Sequence, residues 1–266
     1  MKSSLLIVAV AIVGLSGCAA ANVMPSSTAT AATLPTAAGQ VSACASPGTG
    51  PASAVAASDA PRRRIFLMRH GEANYFDAHG QRIASPDLAV LTDRGHDQAR
   101  AAAQWFCAMG VRHFDRVITS DLPRAEETAR DLLDTMGLHG IQPQSWPEFR
   151  EMTAFGQARV AAGERLQGGE SVGEARARIL PALDKLRREQ WDTALIIVHT
   201  LVNQVILSEA LTGGDEIYGR IEQGTGCINI LDVGPGSDEW VVRAVNVCPD
   251  TSAYWSRQSV LDRLRH

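Results

Sequence analysis

Residues 193–199 read Thr-Ala-Leu-Ile-Ile-Val-His. The apolar run from Ala194 to Val198 leaves neither side of a strand for water. Strands buried on both faces belong to parallel sheets covered by helices, so this segment narrows the choice of fold more than any other. Arg64–Met68 and residues 114–120 (Phe-Asp-Arg-Val-Ile-Thr-Ser) have the same texture. Amphipathic segments alternate with these runs. Thr92 is placed to cap a helix that stops at Gly110, and Pro123 to Gly137 carries a first-turn proline and a terminal glycine. Ser171 and Glu174 form a capping-box pattern ahead of a helix that Pro181 should kink, and residues 201–213 give a further helix. Near the end, residues 227–233 and 240–247 flank Gly-Pro-Gly-Ser-Asp-Glu, a hairpin signal. The alternation predicts an α/β fold: a three-layer α/β/α sandwich with a mostly parallel sheet and an antiparallel edge strand. A single domain, residues 61–266, accounts for it.

The chain begins differently. Lys2 precedes an apolar run from Leu5 to Leu15, then small residues. This reads as a secretory signal, too short for a spanning helix. Leu15-Ser16-Gly17-Cys18 resembles the bacterial lipobox, which implies a signal peptide over residues 1–17 and diacylation of Cys18. An uncleaved anchor is the plainer alternative. Ala19, where an aspartate would retain the protein at the inner membrane, points to the outer membrane and to the periplasmic side. Residues 18–60 are mostly Ala, Ser, Thr, Pro and Gly, with almost no charge. Such a stretch cannot bury enough apolar area to offset its ordering entropy, so a flexible tether is expected. Export would place the cysteines in an oxidising compartment. Cys44 falls in the tether; Cys107, Cys227 and Cys248 fall in the domain. Cys227 and Cys248 sit at the far ends of the hairpin strands, where a cross-strand contact is open. The alternative is that Cys107, Cys227 and Cys248 are buried thiols. The net charge of -4 leaves no basic field, so nucleic acid is not an expected partner.

Ligands in open α/β sheets bind beyond the carboxyl ends of the strands. Three predicted strands end in polar residues there. The first ends at Arg69-His70, the second at Thr119-Ser120 running into Arg124, and the third at His199. Two histidines and two arginines from distant parts of the chain should therefore converge. Guanidiniums grip phosphate through paired N–H donors and stabilise charge that grows during phosphoryl transfer. A neutral imidazole is a nucleophile for phosphorus, and neighbouring cations disfavour its protonation. An arginine beside a histidine is awkward for a charged ring and useful for one that must attack.

With Leu-Met-Arg-His-Gly-Glu-Ala at 67–73, Ser-Asp-Leu-Pro-Arg-Ala-Glu-Glu-Thr-Ala at 120–129, a glutamate in Phe-Arg-Glu-Met and Leu-Ile-Ile-Val-His-Thr at 195–200, the chain resembles the histidine phosphatase superfamily, in its phosphoglycerate-mutase-like branch. The likeness covers about residues 63–248. It implies that His70 forms a phosphohistidine, that Arg69, Arg124 and His199 bind the phosphoryl group, and that Glu151 protonates the leaving oxygen. It implies a small phosphorylated substrate and no metal or other cofactor. The activity it implies is hydrolysis of phosphomonoesters. Alternatives are a phosphoglycerate-mutase-type transferase and a non-catalytic binder of a phosphorylated envelope component. This chain departs from the pattern at three points. Thr200 stands where the family usually has glycine, and a β-branched residue resists unusual backbone angles. Glu151 precedes Gly156 by five residues instead of the usual four, which keeps Glu148 open as the acid. The usual asparagine after the motif is out of register, so a phosphate contact from Asn74 stays open. Residues 75–90 and 153–168 are expected to line the pocket.

Overall fold

The computed structural model describes residues 44, 62–152, 170–214, 221–234 and 239–252. All belong to a compact unit spanning Val41–His266, and none to the separate unit Met1–Gln40. The signal peptide, Cys18 and the tether other than Cys44 therefore lie outside the described residues, as do 153–168 of the expected pocket wall.

Three strands arise from the runs the sequence marks. They are β1 (Arg63–Arg69), β2 (Arg116–Thr119) and β4 (Thr193–Val198). A fourth, β3 (Gln144–Ser145), is short and polar, and the hairpin supplies β5 (Ile228–Val233) and β6 (Trp240–Val247). The order across the sheet is β3-β2-β4-β1-β5-β6. Strands β1 to β4 are parallel, β5 runs against β1, and β6 runs against β5. The reversed strand thus lies one place inside the edge, with β6 outside it.

Among the described residues, four helices flank the sheet. Helix α1 (Asp93–Ala108) starts where Thr92 accepts the N–H of Gly95, and α2 (Pro123–Met136) ends at Gly137 in the left-handed region. Helix α3 (Val172–Arg188) opens on the complete Ser171/Glu174 capping box and carries Pro181 inside it; α4 (Thr200–Thr212) follows β4 directly. The period-2 side-chain alternation of the strands sorts the core into two layers. Ile65, Leu67, Ile196 and Val198 pack under α3 and α4. Phe66, Met68, Leu195 and Ile197 pack under α1 and α2. This is the three-layer sandwich, and it requires apolar residues at consecutive strand positions.

Register then fixes the site. Arg69 lies opposite Val198, and Thr119 opposite Ile197. The N–H of His70 donates to Val198 O (3.0 Å) and that of Ser120 to Ile197 O (3.3 Å). The last residues of three strands end level with one another.

Candidate active site

His70 is the first residue beyond β1 and is 2% exposed. Its Nδ1 lies 2.6 Å from Gly71 O. A carbonyl only accepts, so Nδ1 carries the proton and Nε2 presents a lone pair. Burial, then the Arg124 and Arg69 charges, hold the ring well below its ordinary pKa, against a smaller opposing effect of the Gly71 bond. The ring therefore stays neutral into the acid range, with a lone pair on Nε2.

Gly71 must be glycine for a steric reason. A Cβ there would collide with the Gly95 carbonyl, and a Cβ on Gly95 would collide with Glu72 O. The chain leaving His70 crosses the first turn of α1 at backbone contact. Thr92 N–H donates to Glu72 O (2.9 Å), and Gly71 N–H donates to Thr128 Oγ1 of α2 (3.0 Å). The turn that aims His70 is thus held by two helices.

His199 is fully buried at the N-cap of α4, its ring centroid 5.0 Å from that of His70. Its Nε2 lies 2.7 Å from Ser120 Oγ. That oxygen also accepts the N–H of Leu122 (3.4 Å), and in the arrangement we assign it donates its own proton to Nε2. The remaining proton of the neutral ring then sits on Nδ1, which is buried without a partner. Burial comes first in lowering the pKa of His199, followed by His70, Arg124 and Arg69. The two imidazoles are set to opposite tasks: His70 presents a lone pair and His199 an N–H.

Arg69 closes β1, and Arg124 is the second residue of α2; they are 4% and 1% exposed. Arg69 Nη1 donates to Gln223 O (2.7 Å) and Arg124 Nη1 to Pro86 O (3.0 Å). The Nε of each is buried without a partner. Among the described residues neither guanidinium is ion-paired to a carboxylate. Arg124 also stands 5.7 Å above the Tyr75 ring. Helices α2 and α4 both begin at this edge, adding the positive ends of their dipoles.

Glu151 is half-buried after a 3-10 turn, Pro147–Phe149. Its Oε1 accepts the Met152 N–H (3.0 Å). Burial raises its pKa, and Arg124, the Met152 amide, Arg69 and the Leu201 backbone offset part of that rise. A carboxyl that keeps its proton above the ordinary range, among the two arginines, is suited to general-acid work. Glu148 is exposed within the 3-10 turn. Asn74 is also exposed, and its Oδ1 accepts the Phe76 N–H (3.0 Å) in a local turn. The structure therefore brings His70, His199, Arg69, Arg124 and Glu151 together in buried or half-buried positions, whereas Glu148 and Asn74 are exposed. Thr200 is the first residue of α4 in ordinary helical geometry, so no glycine is needed after His199. Three further participants carry no role in the sequence reading. Ser120 was visible only as a polar strand end, Tyr75 only as a loop residue, and the Gln223 carbonyl had no sequence signal. Among the described residues no group of three or more His, Cys, Asp or Glu could hold a metal ion.

The chain matches the profile of the histidine phosphatase superfamily (branch 1) over residues 65–159 and 155–247. It is 24% identical over 192 residues to 2-carboxy-D-arabinitol-1-phosphatase of Triticum aestivum, covering 66% of this chain and 38% of that protein. The chain thus spans about two fifths of that relative's length. It is 29% identical over 187 residues to a 2,3-bisphosphoglycerate-dependent phosphoglycerate mutase of Mesorhizobium japonicum, covering 62% of this chain and 89% of that one. Its fold superposes on a mycobacterial glucosyl-3-phosphoglycerate phosphatase solved with VO3, with a TM-score of 0.57 at 23% identity, covering 70% of this chain and 99% of that one.

Proposed function

This chain belongs to the histidine phosphatase superfamily, and we propose that it hydrolyses phosphomonoesters through a phosphohistidine at His70. The observation that carries the reading is the pair of buried arginines, without a carboxylate ion pair among the described residues, beside a neutral imidazole with a free lone pair. Such a site is completed by a phosphoryl dianion. His70 Nε2 attacks phosphorus as the bond to the leaving oxygen breaks, and Glu151 gives that oxygen its proton. Arg69, Arg124 and the His199 Nδ1–H hold the three equatorial oxygens as charge shifts onto them. Water then attacks phosphorus, the phosphorus–nitrogen bond breaks with its electron pair returning to His70 Nε2, Glu151 takes a proton from the water, and phosphate leaves.

The exported, lipid-anchored form is part of the same proposal. Its support is the signal-like start, the lipobox resemblance at Cys18 and two disulfides, one within the domain and one from Cys44 to Cys107, a feature of oxidising compartments. Replacing Cys18 by Ser should move the protein from the membrane fraction to the soluble fraction.

The test of the chemistry is turnover of a generic aryl phosphate by the full chain and by His70→Ala, with acid-quenched protein analysed for phosphate on His70. We expect turnover and a trapped phosphohistidine in the wild type and neither in the variant. Equal turnover in both would sink the mechanism. The phosphoglycerate mutase likeness supplies one competing reading. Interconversion of phosphoglycerates faster than release of inorganic phosphate would favour it.

A further inference from the structure

The turn from Gln223 to Cys227 grips the two residues at the centre of the site. Arg69 N–H donates to Cys227 O (3.0 Å), and Gly226 N–H donates to the carbonyls of Arg69 (3.2 Å) and His70 (3.1 Å). The Gln223 carbonyl accepts the Arg69 guanidinium. Behind the turn lies a buried cluster of amides. Gln223 Oε1 accepts from Asn203 Nδ2 (2.9 Å) and Asn229 Nδ2 (2.8 Å), and Asn229 Nδ2 also donates to Leu67 O (3.0 Å). Asn229 Oδ1 accepts the Asn246 N–H (2.9 Å), and Asn246 Oδ1 accepts the Gly224 N–H (2.7 Å). Asn246 holds this position with φ at 54°, a left-handed angle that asparagine tolerates better than most residues.

The Cys227–Cys248 disulfide joins the end of the turn to the end of β6, and both cysteines are buried. Its sulfurs pack against the turn itself: a Cβ on Gly224 would collide with Cys227 Sγ and approach Cys248 Sγ to 3.3 Å. The strands beside it do not depend on it, because β5 is laddered to β1 from Ile228 to Val233 and to β6 on its other side.

We propose that the Cys227–Cys248 disulfide is a positioning element of the phosphate grip. Closed, it fixes the 223–227 turn and hence the guanidinium of Arg69. A dithiol opens it by delivering two electrons and two protons, leaving two thiols while the dithiol closes to its own cyclic disulfide. The β5–β6 hairpin then persists, the turn loosens, and phosphate affinity falls. This inference rests on the phosphate-site reading above.

The second disulfide is the control. Cys44–Cys107 spans a sequence separation of 63, against 21 for Cys227–Cys248, and packs beside the α1–α2 layer of the core. Closing the longer loop should contribute more to stability through the unfolded chain. Among the described residues, neither of its cysteines is a hydrogen-bond partner of Arg69.

The experiment measures inorganic phosphate binding by titration calorimetry, KM and kcat for an aryl phosphate, and thermal melting. It compares the oxidised full chain, the dithiothreitol-reduced chain, the reduced chain after reoxidation, Cys227→Ala/Cys248→Ala and Cys44→Ala/Cys107→Ala. Disturbing a supporting shell typically costs about 10- to 100-fold in a site. We expect roughly tenfold weaker phosphate binding, with KM rising more than kcat falls, in the reduced chain and in Cys227→Ala/Cys248→Ala, and recovery on reoxidation. Cys44→Ala/Cys107→Ala should bind phosphate like the wild type while melting earlier. Unchanged phosphate affinity on reduction would overturn the inference and leave the phosphate-site reading intact. If Cys227→Ala/Cys248→Ala does not fold, reduction of the Cys44→Ala/Cys107→Ala variant opens the same bond alone and decides on the same affinities. Absence of phosphate binding in the oxidised chain would overturn the phosphate-site reading, and this inference with it.

Discussion

Two pairs of arginines lie at opposite ends of β1, and their surroundings differ. Near its start, Arg64 and Arg243 share Asp232: each Nε lies 2.7 Å from a different carboxylate oxygen, and the Asp232 side chain is 3% exposed. Burial alone would raise the Asp232 pKa, but the hydrogen bonds from Arg64 and Arg243 outweigh it and hold the carboxyl below its usual range. At the carboxyl end, Arg69 and Arg124 are more deeply buried and have no such partner among the described residues. Glu151 acts on Arg69 from nearby, yet its own pKa is pushed up, towards the neutral form. The first pair is a closed structural device. The second is buried charge that Glu151 and Glu222 offset only in part at Arg69, and under the proposed function an arriving dianion supplies the rest.

The contrast predicts the largest effect at Arg124. Arg124→Ala should lower kcat/KM for an aryl phosphate by about 10³-fold, the scale of a lost arginine in phosphoryl transfer. The same change should leave the melting temperature unchanged or higher, because it removes a buried cation that has no carboxylate partner among the described residues. A strongly destabilised variant that keeps its activity would erase the distinction between the two pairs.

Glu151→Gln comes next, with kcat lower by about 10²- to 10⁴-fold. Its pH profile is the sharper readout. Attack needs neutral His70, whose pKa is depressed, and protonated Glu151, whose pKa is raised. The wild-type rate should therefore hold on the acid side of neutrality, below the ordinary histidine value. It should fall as pH rises through the raised Glu151 value and as pH drops through the depressed His70 value. The glutamine variant should lack the basic limb. A raised carboxyl pKa also costs stability, absent below the unfolded value near 4.5 and growing as pH rises through the folded one. Glu151→Gln should accordingly be the more stable protein at neutral pH, by thermal melting.

Ser120→Ala should lower kcat/KM by roughly tenfold, the low end for a partner that orients another ligand group. Without the hydroxyl proton on Nε2, His199 is free to place its own proton there and to turn a lone pair towards phosphate. Nitrogen chemical shifts of His199 should report this change of tautomer, and Ser120→Thr should restore both shift and rate. A rate loss with the tautomer intact would reduce Ser120 to packing.

What could be read from the sequence follows from where each constraint resides. Strands β1, β2 and β4 were legible because a doubly covered strand must be apolar at consecutive positions. His70, Arg124 and His199 were legible because the same strands put them at one edge. Strand β3 was not: Gln144 and Ser145 are exposed and polar, and only their pairing with Ile118 and Thr119 makes them a strand. The inner place of β5 was hidden as well, since sheet order is set by pairing between residues as distant as Arg63 and Val233. The concern over Thr200 came from assuming an unusual backbone angle that the first turn of α4 does not require. Asn74 looked close to the motif; it is exposed and its Oδ1 accepts the Phe76 N–H in a local turn. The bond from Cys44 to Cys107 and the grip of Gln223 on Arg69 join distant segments, and no local pattern announces either.

The smallest effect on activity belongs to the amino-end pair. Asp232→Asn keeps the shape of the side chain but turns an amide N–H towards one guanidinium and leaves two cations sharing one neutral oxygen. Losing a fully buried partner costs about 3–5 kcal/mol, but Arg64 and Arg243 are 46% and 52% exposed and water screens them. The discounted expectation is about 1–2 kcal/mol in denaturant unfolding, with aryl phosphate turnover within about twofold of the wild type. The pH dependence identifies the source of the loss. Because the folded pKa of Asp232 is depressed, its stabilisation is present above the unfolded value of 3.8 and disappears as pH falls through the folded value. Wild type and variant should therefore converge in stability at the acid end and separate as pH rises. A constant gap at every pH would mean that the amide fits the site poorly and that charge neutralisation by Asp232 is not what sets this pair apart from Arg69 and Arg124.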